Sequence, residues 1–166
     1  MADELERARA ARTWLERLGA RIPGYKGYQE RELRREVDQV LRAELAGRLD
    51  RARDGVRSFQ RRLRLDQAGT LARLASADTR LDQLANTLRH AGSGYAGLFD
   101  AVKVREDELG TLYRFDLSLV DTVDALLATA SALADDSDLG QLEAQLADVG
   151  GQVESRDRVV RSVLGT

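Results

Sequence analysis

The chain contains no cysteine, one proline, one histidine and few aromatic residues among its 166 positions. The lack of cysteine excludes disulfides, thiolate metal sites and cysteine nucleophiles. The single histidine, His90, excludes a multi-histidine metal site, and no histidine–carboxylate relay is visible in the sequence. The sequence therefore predicts a protein with no metal, no cofactor and no enzymatic activity.

Long apolar runs are also absent, because no run approaches the length of about 20 residues that a membrane-spanning helix needs. The N-terminal segment from Met1 to Ala20 is charged throughout and lacks the apolar core of a signal peptide. We expect a cytoplasmic location, with peripheral attachment to the inner membrane face as the alternative.

Leucine and alanine are abundant in the composition. These residues favour helices, whereas the scarcity of isoleucine and aromatic residues argues against a sheet. Apolar residues make up 43% of the chain, which is too much for a disordered protein. The sequence predicts an all-α fold, an elongated antiparallel bundle of four to five helices with coiled-coil-like hairpins. We expect a single domain over residues 1–166, with a possible two-hairpin organisation over 22–90 and 92–163.

Apolar residues recur at three- and four-residue steps in five stretches. This spacing predicts helices over residues 3–19, 29–66, 70–90 and 98–133, and a fifth that starts at residue 138. Thr70 is the predicted N-cap of the third helix, and Asp138 with Gln141 has the spacing of a capping box. Gly55 is a weak point at which the second helix either continues or kinks.

Two polar residues, Arg105 and Asp116, occupy apolar positions in the register of the fourth predicted helix. If both side chains face inward, each needs a partner from another helix, because an unpaired buried charge is costly. The alternative is that Val104 and Phe115 take the inward face locally.

Two segments share a G-Y-x-G pattern, one at residues 24–27 and the other at residues 94–97, and each precedes a predicted helix. The repeat indicates either an internal duplication or the same helix-entry chemistry used twice. The tyrosine rings either clamp the bundle ends with their hydroxyls in water, or form a binding surface with nearby basic residues. The candidate ligand- or partner-binding residues are Tyr25, Lys26, Tyr28, Arg31, Arg34, Arg35, Tyr95, Phe99, Arg105 and Asp116.

The charge is unevenly distributed although the net charge is only −2. Residues 1–66 carry a balance of +5, and residues 67–166 carry a balance of −7. Two oppositely charged parts of a chain attract each other, either within one fold or between two copies of the protein. Solvated helix faces explain the same distribution without any such attraction.

The leading functional hypothesis is a non-enzymatic interaction or scaffold protein with a protein partner, and self-association is included. The first alternative is a membrane-surface or anionic-ligand binder that uses the N-terminal helix and the Tyr/Gly segments. The second is a nucleic-acid binder through the arginine-rich second helix, which the interleaved Glu and Asp residues disfavour. No small-molecule substrate is evident.

The stretch IPGYKGYQERELRREVD at residues 22–38, together with GYAGLFDAVKV at residues 94–104, resembles uncharacterised bacterial helical proteins. The resemblance is confined to these two stretches. It implies a helical fold, with no activity and no functional residues attached to it.

Overall fold

A computed structural model describes residues 2–92, 97, 99 and 103–164 of the chain. Within this part the chain forms five α-helices and two 3-10 helices of three residues each and contains no strand, which confirms the all-α prediction. The 3-10 helices cover Arg31–Leu33 and Asp136–Asp138. The α-helices are α1 Ala2–Arg21, α2 Arg34–Gln60, α3 Ala68–His90, α4 Glu106–Ser131 and α5 Leu139–Leu164.

Helices α2 and α3 pack antiparallel, as their short connection predicts. Near that connection, Arg53 Nε donates to Asp78 Oδ1 at 2.9 Å. At the opposite end, Arg42 Nη1 donates to the Leu88 carbonyl at 2.9 Å. The first contact therefore joins the late part of α2 to the early part of α3, and the second joins the early part of α2 to the late part of α3.

Helix α4 lies parallel to α2 and antiparallel to α5. Arg48 of α2 donates to Asp124 of α4 at 2.8 Å. Gln152 of α5 donates to Thr122 of α4 at 3.0 Å. Helix α4 is thus central, since it contacts α1, α2 and α5.

Helix α1 runs along α4 in the same direction. Glu4 accepts from Arg105 at 2.8 Å near the beginning of both helices, and Arg21 donates to Asp124 at 2.5 Å further along. Residues 22–30 then return towards the start of α4. Positive φ values at Gly24 and Gly27, 82° and 86°, allow the sharp turns of this return.

The core is built from leucine, valine and alanine side chains of all five helices. Leu49, Leu74 and Leu126 are fully buried examples from α2, α3 and α4. Burying one such side chain contributes roughly 1.5–3 kcal/mol. The three- and four-residue spacing in the sequence therefore does mark the faces that leave water.

Gly55 lies in an uninterrupted part of α2, so the helix does not break at the predicted weak point. A Cβ at this position would lie 2.5 Å from the Ala130 carbonyl oxygen of α4. The glycine is accommodated because the backbones of α2 and α4 approach each other closely here.

Three predicted helix boundaries are wrong by several residues. Helix α4 begins at Glu106 rather than at residue 98, because Arg105 is extended and the Glu108 side chain accepts from its backbone N–H at 2.9 Å. Acidic residues in that first turn suit the positive end of the helix dipole. Helix α2 begins at Arg34 and ends at Gln60 rather than spanning residues 29–66.

Two predicted caps also differ in the structure. Thr70 lies inside the first turn of α3, and its hydroxyl donates to the Asp136 carboxylate at 2.7 Å rather than capping its own helix. The capping box at the other connection joins Asp135 and Asp138, not Asp138 and Gln141. Both acids therefore shape the α4–α5 connection.

Candidate functional site

The most concentrated polar chemistry lies inside the protein, where Asp116 of α4 meets Arg156 of α5. Both residues are buried, with 0% and 2% of their surface exposed. Arg156 Nε donates to Asp116 Oδ1 at 2.9 Å, and Nη2 donates to Oδ2 at 3.3 Å. This two-pronged geometry is the strongest form of an arginine–carboxylate pair.

The pair continues into α2 through a second acid and a second arginine. Arg156 Nη1 donates to Asp38 Oδ1 at 2.6 Å, and Arg42 Nε donates to Asp38 Oδ2 at 2.7 Å. Arg42 Nη1 also donates to the carbonyls of Leu88 and Arg89 at the end of α3. We call Asp38, Arg42, Asp116 and Arg156 the buried ionic cluster; its two positive and two negative charges balance.

Three tyrosines pack against the buried ionic cluster. Tyr28 and Tyr113 are stacked with ring centroids 6.0 Å apart, and Tyr25 meets both rings edge-on. The Tyr28 hydroxyl accepts from Arg156 Nη2 at 2.9 Å and donates to Asp116 at 3.3 Å. The Tyr113 hydroxyl accepts from the backbone N–H of Tyr28 at 2.8 Å.

Burial and charge act against each other in this region. Burial raises the pKa of the Asp116 carboxyl, and the neighbouring Arg156 offsets only part of that rise. Burial alone would lower the pKa of Arg156, but the Asp116 and Asp38 carboxylates outweigh it and raise that pKa well above its usual value. Burial also raises the pKa of Tyr113 to about 12, so its hydroxyl stays protonated at neutral pH.

The buried ionic cluster is suited to positioning helices rather than to chemistry on a substrate. Every carboxylate in it accepts from at least one arginine, and Tyr28 bridges Asp116 and Arg156. The contacts join the segment before α2 to α2, to the end of α3, to α4 and to α5. Such a network makes one arrangement of these elements much better than its alternatives.

The structure separates the two polar residues of the predicted α4 register. Asp116 faces inward and receives partners from other elements, as the sequence required of an inward acid. Arg105 does not face inward: its side chain is 62% exposed and pairs with Glu4 and Asp107. The two residues therefore belong to different environments.

Sequence reasoning missed Arg156, Asp38 and Arg42 as members of the cluster. Arg156 had a visible signal, because it lies three residues after Val153 and four before Val160 in the buried register of α5. An arginine at an apolar position indicates a buried partner. Asp38 lies one helical turn before Arg42, a spacing that favours a pair along one helix face.

The proposed binding residues fall into several places. Tyr25, Tyr28 and Asp116 come together in the interior, so the tyrosine rings do clamp the helices but their hydroxyls are not in water. Tyr95 lies outside the described residues.

The basic candidates lie near the start of α2. Arg34 is buried and donates to the Tyr28 carbonyl at 2.7 Å. Lys26, Arg31 and Arg35 are exposed, and Phe99 is buried beside the last two at a small surface pocket.

An open groove of about 480 Å³ lies on the surface between α3 and α5. Ala77 and Leu146 form its floor, beside the exposed small residues Ala147 and Gly151. Two ion pairs cross the groove: Arg73 with Glu143 at 2.8 Å, and Arg80 with Glu154 at 3.6 Å. The α3 bank is therefore basic, and the α5 bank is acidic.

Two other kinds of site are absent from the described part of the chain. No helix there is long and apolar enough to cross a membrane. No group of three or more histidine or acidic side chains there is arranged to hold a metal ion.

The comparisons with known proteins leave the fold and the geometry as the only guides to function. No protein-family model matches the chain, and no curated protein and no solved structure matches it significantly.

Proposed function

We propose that this protein is a non-enzymatic interaction protein that receives a helix of another protein chain in the groove between α3 and α5. The observation that carries the proposal is the groove itself, an open trough with an apolar floor beside small side chains. Ala147 and Gly151 have almost no side chain, so a third helix can approach the backbone of α5 closely. Helix-in-groove binding uses this shape.

The banks of the groove indicate the charge pattern of the partner helix. Arg73 and Arg80 line the α3 side, and Glu143 and Glu154 line the α5 side. Both pairs that cross the groove are exposed and therefore weak, so a partner can exchange them for its own. A complementary helix carries acidic residues along the edge that faces α3 and basic residues along the edge that faces α5, with an apolar ridge between them. Opposite charges at such a rim favour one orientation and raise the association rate more than they raise affinity.

The alternative functions have less support from the geometry. Most of the apolar stripe of α1 packs on α4, where Ala11 and Leu18 are buried, and only its beginning at Leu5 is exposed, so little of this face is available to a membrane. Several α2 arginines are engaged in ion pairs within the bundle, among them Arg48, Arg53 and Arg57. Phosphate binding by these arginines would compete with their carboxylate partners.

The test compares two alanine-to-tryptophan variants in affinity capture from a native lysate, followed by sedimentation to detect self-association. Ala147→Trp fills the groove, whereas Ala125→Trp makes the same change at an exposed position of α4. We expect a partner that binds the wild type and Ala125→Trp but not Ala147→Trp. A strictly monomeric protein that captures no partner, or a partner indifferent to Ala147→Trp, contradicts the proposal.

A further inference from the structure

A second cavity, of about 420 Å³, lies between the first half of α2 and the end of α3, away from the groove between α3 and α5. We call it the α2–α3 pocket. Its described lining is Arg35, Asp38, Gln39, Arg42, Arg89, His90, Gly92 and Phe99. The lining is rich in groups that donate hydrogen bonds, and Asp38 is its one acidic member among the described residues.

Arg42 presents a donor without a described acceptor at the wall of the α2–α3 pocket. The residue is only 7% exposed; its Nε donates to Asp38 and its Nη1 to two α3 carbonyls. No described residue accepts from its Nη2. A Cβ on Gly92 would collide with this Nη2, so the nitrogen lies against the Gly92 side of the pocket. This nitrogen can therefore donate to an acceptor that enters the pocket.

The charges around the α2–α3 pocket favour an anion as that acceptor. Arg35 borders the pocket from the first turn of α2, where the helix dipole is positive. Asp38, the acid in the lining, already accepts from Arg42 and Arg156. Gln39 and His90 add nitrogen atoms from two different helices.

The shape of the surface extends the site beyond a single group. A smaller cavity of about 370 Å³ adjoins the α2–α3 pocket and shares Arg35 and Phe99 with it. Arg31 and Glu32 complete its described lining. The two cavities together offer a polar end at Arg42 and a wall beside the Phe99 ring.

From this geometry we infer that the α2–α3 pocket binds the phosphate group of a small phosphorylated molecule, a phosphomonoester or a diphosphate. Guanidinium groups from different directions, with an amide beside them, can donate to several oxygens of one phosphate at once. The inference is independent of the α3–α5 groove. A partner helix and a phosphorylated ligand would occupy different faces of the protein.

The experiment titrates the full chain with pyrophosphate at low ionic strength, by calorimetry and by amide NMR shifts. We expect binding with a Kd of roughly 1 mM or tighter, with shifts confined to residues near Arg35, Arg42 and Gly92. Arg35→Glu should weaken binding at least about tenfold, as for loss of a hydrogen bond to a charged group. Arg51→Glu, about 24 Å further along α2, carries the same charge change and should leave the Kd within about twofold.

A second variant keeps the test decisive if Arg35→Glu unfolds the protein. Gln39→Leu removes the amide without changing charge at an exposed position, and should weaken binding several-fold. Vesicles containing phosphatidate serve as a parallel probe: binding to them and not to pyrophosphate would assign the phosphate to a lipid headgroup. No binding of either probe, or equal weakening by Arg35→Glu and Arg51→Glu, overturns the inference.

Discussion

Among the arginine–aspartate pairs that tie this bundle together, two sets differ mainly in their contact with water. The buried ionic cluster has side chains that are almost completely desolvated. The second set lies between α2 and α3, where Asp78 accepts from Arg53 at 2.9 Å and from Arg57 at 2.6 Å in contact with solvent. We call this second set the surface ion pairs.

The comparison teaches that similar hydrogen-bond lengths correspond to very different energetic roles. Surface pairs gain little because water already solvates both partners. A buried set loses that solvation, so its charges must remain paired, although the set as a whole need not be more stable than an apolar replacement. We expect its benefit to be specificity, since a shift of any attached helix leaves a charge without its partner.

The largest expected effect follows from removing the arginine at the centre of the buried ionic cluster. Arg156→Met leaves Asp116 without its arginine and Asp38 with one instead of two. We expect a loss of about 3–5 kcal/mol in the free energy of unfolding, the usual cost of breaking a buried pair by one partner. Urea denaturation followed by circular dichroism measures this loss.

A double variant shows whether that loss is due to charge. Arg156→Met with Asp116→Leu removes one charge of each sign and leaves the Asp38–Arg42 pair intact. We expect the double variant to be more stable than Arg156→Met alone. If the losses in the free energy of unfolding from the two substitutions are additive, the packing volume of Arg156 matters more than its charge. The distinction between buried and surface pairs then fails.

Alkaline titration tests the same interior through its tyrosines. Burial raises the pKa values of Tyr25 and Tyr28 well above their ordinary value and that of Tyr113 to about 12. A raised folded-state pKa adds stability that is fully present below the unfolded value of about 10 and is lost as the pH rises through the folded value. Tyrosinate absorbance from three of the four tyrosines should therefore appear only above about pH 10, together with unfolding. Ionisation of these three tyrosines at their ordinary pKa while the protein remains folded would contradict this burial.

The sequence predicted the helices well and the polar interior poorly, for a physical reason. Apolar periodicity is local, so Leu49 or Leu126 can be assigned to a buried face from neighbouring residues alone. The partner of Asp116 lies far along the chain on α5, and its identity depends on how the helices pack. Of the buried ionic cluster, the sequence alone identified only Asp116, as a polar residue at an apolar helix position.

The helix ends show the same limit. Thr70 bonds to Asp136 across the bundle instead of capping its own helix. The return of residues 22–30 includes the contact of Tyr28 with Tyr113, and the sequence pattern contains neither contact. The groove between α3 and α5 could not be predicted from the sequence either. Ala77 and Ala147 line one groove only because α3 and α5 become neighbours.

Two glycines extend the contrast between buried and exposed positions to the backbone. Gly55→Ala places a methyl group against the α4 backbone, and we expect a net destabilisation of about 1–2 kcal/mol because the clash exceeds the gain in helix propensity. Gly151→Ala in α5 meets nothing within 4 Å and should stabilise the protein by about 0.5–1 kcal/mol. Thermal unfolding measures the change in stability of each variant relative to the wild type. A change of the same sign in both variants would contradict the close approach of α2 and α4.

The smallest expected effect belongs to the surface ion pairs. Partial burial alone would raise the pKa of Asp78, but hydrogen bonds from Arg53 and Arg57 outweigh it and hold that pKa below its usual value. A lowered folded-state pKa adds stability above the unfolded value of about 4, and this stability is lost as the pH falls through the folded value. Asp78→Asn should therefore cost less than about 1 kcal/mol at neutral pH, and the difference from wild type should shrink on acidification and in high salt. A cost as large as that of Arg156→Met, independent of salt, would mean that solvent contact is not what separates the two sets of pairs.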